Sequence, residues 1–548
     1  MTPLQRRHAR VGALMILTAK NRPAIPEARP GFRSLMGSFA LVIGVVLPAC
    51  MAQSVVVAGE SAIPPPGETA MVTIQVQDDR GLPIGGAEAS ADDLLLVSDE
   101  AGQVQVRWEG DPISVSVRAE GFFPAAVAVD EYHEEPLELA LRPAVLRGAV
   151  LAPGDFGLPA ATVSLGDTAT TTDESGRFEI SRASAGTITV ERPGWERREV
   201  YWPGTPLVTS VKVEPLVIKA LHIGHWVYTD QELWRDLLKV AEETVVNAFV
   251  IDVKGESGRV LYDSKVPLAR RVGAVEPLVD LDRVIVEMDR RDLYKIARLV
   301  TFQDPIAARA EVDMAVHDTR TGGPYNKGGQ YFLDPTDGRA RAYALDLAQE
   351  VCKAGFDEIQ FDYVRYPDGF PDSARFDHGS SAEVRTEAIT GFLREAAELL
   401  HPLGCLVAAD IFGFITTVQG DGGIGQEFVA LSQTLDVISP MLYPSHYSRG
   451  WFGFEVPNNH PGEVVGHALD DAIERRQGSA IIRPWLQDFG YNPAQVRAEI
   501  RAAEARGGGL GWMLWNAVSR FQVDALEAAP QPASGSGAAP GAPADPGS

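Results

Sequence analysis

Gly355-Phe-Asp-Glu-Ile-Gln-Phe-Asp-Tyr-Val-Arg-Tyr-Pro367 is the stretch on which the fold turns. In an extended chain Ile359, Phe361 and Tyr363 fall on one side and Gln360, Asp362 and Val364 on the other. Before it, Asp337 to Ala354 carries Ala342, Leu345, Leu347, Ala348 and Val351 at near-helical spacing among charged residues, and Gly355 follows as a helix stop. A helix thus feeds a strand whose carboxyl end holds Asp362, Arg365 and Tyr366. Where helices cover a sheet on both faces, polar side chains at a strand end are costly unless they face a wet mouth. On residues alone the rival is a structural Asp362–Arg365 ion pair under a loop.

The same unit recurs on both sides. From Pro215 apolar strands alternate with amphipathic helices, which predicts a (β/α)₈ TIM barrel over residues 215–527. Its strands are expected at Ile218–Trp226, Ala248–Lys254, Tyr294–Phe302, the opening stretch, Cys405–Phe412, Asp436–Pro444, Ala480–Asp488 and Leu510–Asn516. Their carboxyl ends carry Asp252, Lys254 and Glu256 on the second strand, Asp362 on the fourth and Asp410 on the fifth. Tyr443 and His446 follow the sixth; Trp485, Gln487 and Asp488 belong to the seventh, and Trp515 to the eighth. Carboxylates beside aromatic platforms suit sugars, whose C–H faces stack and whose hydroxyls need hydrogen bonds. Trp512 is expected in the core. The polar loop from Phe302 to Pro335 offers Asp304, His317, Tyr325, Asn326 and Tyr331 as substrate contacts, and the loop after the fifth strand offers Gln419 and Asp421. Gly322–Gly329 lacks the order of a nucleotide loop, so no nucleotide is expected.

Upstream the chain changes character. Val72-Thr-Ile-Gln-Val76, Gly81-Leu-Pro83 and Gly102-Gln-Val-Gln-Val106 are echoed by Leu146-Arg-Gly-Ala-Val150, Gly157-Leu-Pro159 and Gly176-Arg-Phe-Glu-Ile180. This internal repeat predicts two small all-β sandwich domains, residues 70–143 and 144–214, making the protein multidomain. Trp108, Trp195 and Trp202 are either sugar platforms or core residues there.

A net charge of -25 argues against nucleic acid as a partner. The apolar run Leu35–Leu47 behind Arg33 reads as a signal peptide within residues 1–52, before a linker at 53–69. Leu47-Pro-Ala-Cys50 resembles a lipobox, so the protein is expected to be exported, periplasmic or extracellular, with possible attachment to the cell envelope through a lipid on Cys50. Cys352 and Cys405 are expected to be small buried hydrophobes without a disulfide. His222, His225, His317 and His446 are too scattered to predict a metal site, and no cofactor is implied. Residues 528–548, rich in Pro, Ala, Gly and Ser, read as a disordered tail.

Residues from about 216 to 525 resemble the family described as a putative glycosyl hydrolase domain, a (β/α)₈ barrel distantly similar to α-amylase-like hydrolases. The resemblance rests on Phe249–Lys254, Gly323-Pro-Tyr-Asn326, Phe361–Pro367, Asp410-Ile-Phe-Gly413 and Ser439–Pro444. The upstream repeats resemble carboxypeptidase-regulatory-like or starch-binding-like sandwiches. In α-amylase-like barrels the fourth-strand aspartate is the nucleophile, which implies that role for Asp362. Their acid/base is a fifth-strand glutamate, where this chain has Asp410. Asp488 falls where such enzymes keep a transition-state stabiliser, and Asp252 could orient a sugar hydroxyl. The expected activity is hydrolysis of an O-glycosidic bond in an extracytoplasmic carbohydrate: Asp362 attacks, Asp410 is the acid/base, and Arg365 orients Asp362. Lys254, Tyr325, Asn326, Tyr366, Tyr443, His446, Trp485, Gln487 and Trp515 are the expected substrate contacts. The alternatives are a non-catalytic glycan-binding or envelope-scaffold protein and a metal-dependent carbohydrate deacetylase.

Overall fold

The computed structural model describes residues 69–506 and 511–529. The leader with Cys50 and nearly all of the 528–548 tail lie outside the described residues.

The chain divides into two compact units. In the first, a three-stranded sheet pairs Ala70–Asp78 with Gln103–Trp108 on one side and Leu137–Leu141 on the other. A four-stranded sheet runs Leu94–Val97, Glu88–Ala91, Ile113–Arg118, Ala125–Val129. Alternate residues such as Val72, Ile74, Val104, Val106, Val115 and Val117 are fully or almost fully buried between them. That is the period-two burial expected of strands with one solvated face.

Residues 146–214, all but Ser181–Ser184 in the second unit, repeat that strand order. Val145–Ala152 lies between Arg177–Ser181 and Val208–Lys212, beside a sheet ordered Thr168–Thr171, Thr162–Leu165, Gly186–Glu191, Arg198–Trp202. Trp108, Trp195 and Trp202 are all buried, so all three serve as core.

The remainder of that unit is a closed barrel of parallel strands: β1 Lys219–Ile223, β2 Ala248–Lys254, β3 Tyr294–Val300, β4 Glu358–Asp362, β5 Leu406–Phe412, β6 Val437–Leu442, β7 in two pieces Ile481–Ile482 and Trp485–Gln487, and β8 Trp512–Trp515. Neighbours pair in sequence order; β5 pairs β6, and β8 pairs β1 to close the ring. The seventh strand breaks at Arg483-Pro484, since proline cannot donate to the ladder, and both pieces pair with β6.

The longer helices between the strands are α1 Gln231–Glu243, α2 Leu281–Asp289, α3 Gly338–Ala354, α4 Ala382–Leu400, α5 Phe428–Thr434, α6 Pro461–Arg475 and α7 Pro493–Glu504, with short helices at Pro267–Arg271 and Ala307–Ala310. Asp337 caps α3 by accepting from the Arg339 and Ala340 N–H groups, and Gly355 ends it at φ 115°, a left-handed conformation that glycine adopts freely. The outward side chains of β4 pack on these helices; Phe361 meets Phe392 of α4 edge to face at 5.1 Å.

One sequence expectation fails here. Cys352 at the end of α3 and Cys405 before β5 form a disulfide. Residue spacing gave no hint of it, because the contact depends on α3 packing back against the strand that follows β4.

The barrel interior is layered. At the amino-terminal end Arg483 donates to both oxygens of Glu358 at 2.9 Å. One layer higher the Gln360 amide donates to Ser439 Oγ at 3.1 Å. The next inward positions, at the carboxyl ends, form the candidate site.

Candidate active site

The inward period-two positions converge on Arg298 of β3. Its Nη1 donates to Asp252 Oδ1 of β2 at 2.8 Å. Nε and Nη2 donate to Asp362 Oδ2 of β4 at 3.0 and 2.5 Å. Nη2 also reaches Glu256 Oε1 at 2.6 Å, and Nε lies 3.9 Å from Asp410 Oδ2 of β5. Arg298 is 1% exposed, so in this low-dielectric setting the guanidinium fork is the counter-charge for the whole set. Aromatic rings wall the cluster. The guanidinium carbon sits 4.9 Å from the ring centroid of Trp515 on β8, and His222 of the adjoining β1 stacks on the same ring at 3.9 Å. Trp485 Nε1 donates to Asp410 Oδ1 at 2.7 Å.

The two expected catalytic carboxyls are held differently. Asp362 accepts two hydrogen bonds from Arg298 and a third, at 2.6 Å, from the Tyr363 N–H to Oδ1. Tyr363 achieves this with φ 49°, a left-handed conformation that a tyrosine adopts only under constraint. Asp410 is pushed well above the ordinary carboxylate range by burial and next by the charge of Asp362, against the pull of Arg298 and the Trp485 N–H. Both Oδ2 atoms approach the same Arg298 nitrogen, so they are at most about 7 Å apart, the sum of those two distances. Burial also pushes Asp252 up, but His222, whose Nε2 lies 3.1 Å from Oδ1, and Arg298 outweigh it and hold that carboxyl low.

Tyr443, beyond β6, faces the pair. Burial raises its phenol first, and the charges of Asp410 and Asp362 raise it further. Together the structure gathers Asp252, Asp362, Asp410, Tyr443, Trp485 and Trp515 of the expected site residues, joins to them Glu256, which the sequence already places at the end of the second strand, and adds Arg298 and His222.

Other expected residues lie elsewhere. Arg365 does not hold Asp362. It donates to the Tyr366 carbonyl at 3.0 Å and lies among the rings of Phe412, Tyr363 and Phe332, because three residues past the strand end the chain has left the barrel interior. Tyr366 is fully buried against Phe376 and Phe370, so it is core and not a substrate contact. Lys254 is also buried, donating to the Val300 carbonyl at 2.7 Å and pairing with Asp304 at 3.0 Å. Asp304 in turn accepts from the Ile306 and Ala307 N–H groups. Tyr325 is buried in the apolar core, while Asn326 is exposed in a hairpin, accepting from the Gly329 N–H.

Gln487 accepts from Ser445 and so shapes the turn after β6, where His446 is exposed. Asp488 accepts from the Gln522 N–H at 2.9 Å, which fastens the segment after β8; burial nevertheless pushes its carboxyl up to about 7. Asp421 pairs with Arg385 of α4. Among the described residues no group of three or more His, Cys, Asp or Glu is placed to hold a metal ion.

No curated protein matches the sequence. Among solved structures, a hypothetical protein from Ruminiclostridium thermocellum is 33% identical over 35% of this chain and 96% of its own, with a TM-score of 0.32. The PgaB (BpsB) glycoside hydrolase domain of Bordetella bronchiseptica is 11% identical over 57% of this chain and 99% of its own, with a TM-score of 0.44. The spore cortex-lytic enzyme SleL of Bacillus megaterium is 12% identical over 60% of this chain and 75% of its own, with a TM-score of 0.33. The family described as "Putative glycosyl hydrolase domain" matches residues 220–521, the whole span that builds the Arg298 cluster, and the chain belongs to that family.

Proposed function

We propose that the protein hydrolyses O-glycosidic bonds of a poly- or oligosaccharide, with Asp362 as nucleophile and Asp410 as acid/base. The observation that carries this is the contrast between two neighbouring carboxyls. Arg298 and a backbone N–H fix Asp362 as an acceptor, while burial and the charge of Asp362 keep a proton on Asp410.

In the first step Asp362 Oδ1 bonds to the anomeric carbon as the bond to the leaving oxygen breaks, and the Asp410 proton passes to that oxygen. The ester removes the charge of Asp362, and with it one of the causes that raise Asp410. Asp410, now anionic, is left facing Arg298 and the Trp485 N–H, poised to take a proton from water. That water attacks the anomeric carbon, the ester bond breaks, and both carboxyls return to their starting states. Arg298 keeps Asp252 and Glu256 as partners throughout, so the change at Asp362 never leaves it unpaired. Retention requires the two carboxyls to stand about 5 Å apart, which lies within the bound of about 7 Å set by their shared approach to Arg298 Nε.

Export is part of the proposal. It rests on the basic-flanked apolar run Leu35–Leu47 and is supported by the Cys352–Cys405 disulfide, which persists in oxidising compartments.

The test is release of new reducing ends from a panel of α- and β-linked glycans by wild type, Asp362→Asn and Asp410→Asn. Turnover by wild type and loss in both variants supports the proposal. Retained glycan binding without turnover in wild type would point to the non-catalytic alternative.

A further inference from the structure

Glu256 is the one member of the Arg298 cluster with a substantial opening to solvent. Its side chain is 39% exposed, against 8% for Asp362, 6% for Asp252 and 1% for Asp410. Only Oε1 is engaged, by Arg298 Nη2; among the described residues Oε2 meets no donor. The backbone around it is fixed. The Gln303 amide donates to the Glu256 carbonyl at 3.2 Å, and the Gly255 N–H and the Gly258 N–H close a turn on Arg259 and Gly255. Gly258 at φ 81° is required there, since a Cβ would strike Asp304.

Arg298 Nη2 donates to Glu256 Oε1 at 2.6 Å and to Asp362 Oδ2 at 2.5 Å, so those oxygens are at most about 5.1 Å apart, the sum of the two. The two carboxylates thus border one site beside Nη2, where Glu256 Oε2 is left to accept a hydrogen bond from a ligand hydroxyl.

We infer that Glu256 is a specificity-determining residue of this site: it accepts a hydrogen bond from the sugar substituent next to the anomeric carbon, and so selects substrates with a hydrogen-bond donor there. The inference rests on the glycosidase proposal. If Asp362 Oδ1 bonds to the anomeric carbon, the adjacent substituent falls toward Oδ2 and Glu256. A carboxylate paired with Arg298 can only accept, so a hydroxyl satisfies it and an ether or a hydrogen does not. A bond of this kind tightens as positive charge develops on the ring in the transition state, so its loss shows in kcat.

The experiment compares wild type, Glu256→Ala and Glu256→Gln on a cleaved aryl glycoside and on its 2-deoxy counterpart. Arg298 keeps Asp252 and Asp362 in both variants, and circular dichroism with thermal melting checks that the fold is unchanged. The expected result is a kcat/KM loss for Glu256→Ala of about 10- to 100-fold on the 2-hydroxy substrate, a loss at least about 5-fold smaller on the 2-deoxy substrate, and an intermediate loss for Glu256→Gln on the 2-hydroxy substrate. Equal losses on both substrates, or no loss on either, overturn the inference while leaving the proposed activity standing. Failure of wild type to cleave any glycoside overturns the activity, and the inference with it.

Discussion

Replacing Arg298 by methionine should expose how much of the barrel mouth hangs on one side chain. The perturbation keeps the length of the apolar stem and deletes the four hydrogen bonds to Asp252, Glu256 and Asp362. Asp362 then keeps only the Tyr363 N–H, and Asp252 only His222. Removing one partner from a buried ion pair costs about 3–5 kcal/mol, mostly from the charge left behind. At about 2–4 °C per kcal/mol this lowers the melting temperature by roughly 6–20 °C at pH 7.

The pH dependence follows from Asp252. Its carboxyl is held below its unfolded value, so the stability it contributes is present above the ordinary carboxylate pKa, about 3.9, and is lost as pH falls through the folded value. The gap between wild type and Arg298→Met should therefore be widest at neutral pH and close in acid. Arg298→Lys, one point charge in place of a fork, should fall between the two. Calorimetry across pH 3–8 reads all three proteins. A variant melting within about 1 °C of wild type at pH 7 would refute the view that Arg298 is the counter-charge of the cluster.

Asp410→Asn should abolish at least 99% of turnover and stabilise the fold at neutral pH. Asp410 has its folded pKa above its unfolded value, so its favourable contribution is complete below about pH 3.9 and is lost as pH rises; urea titrations at pH 4 and pH 7 should show the variant gaining only at the higher pH. Trp485→Phe removes the donor to Asp410 Oδ1 and keeps the ring, so kcat should drop about 10-fold with little change in KM, and the basic limb of the kcat/KM profile, where Asp410 loses its proton, should shift to higher pH. Replacing Cys352 and Cys405 by serine opens a cross-link spanning 53 residues and should cost about 4 kcal/mol by loop entropy, read as a melting point that no longer responds to reductant.

The barrel was legible because its strands obey a rule readable in one dimension. Runs such as Ala248–Lys254 and Leu406–Phe412 are apolar until their last inward positions, and those positions are Asp252 and Asp410. The Asp362–Asp410 neighbourhood followed from strand order alone. Arg298 was missed although it carried a signal: an arginine inside a strand buried on both faces needs a partner, and it shares inward parity with Tyr294 and Ile296. The loop residues were the least legible. Arg365 and Tyr366 lie just past Asp362 in sequence, but once the chain turns at Tyr363 strand alternation no longer says where a side chain goes. Lys254 failed for another reason: a register shift between Asp252 and Lys254 follows the last paired inward position and turns its ammonium to the β3 carbonyls.

The most direct measurement is intact mass after incubation with a 2-deoxy-2-fluoro glycosyl fluoride of whichever sugar the glycan panel shows to be released. One glycosyl unit should be added to wild type, located by peptide mapping on Asp362, and none to Asp362→Asn. A label on another residue, or turnover by Asp362→Asn at the wild-type rate, would contradict Asp362 as the nucleophile.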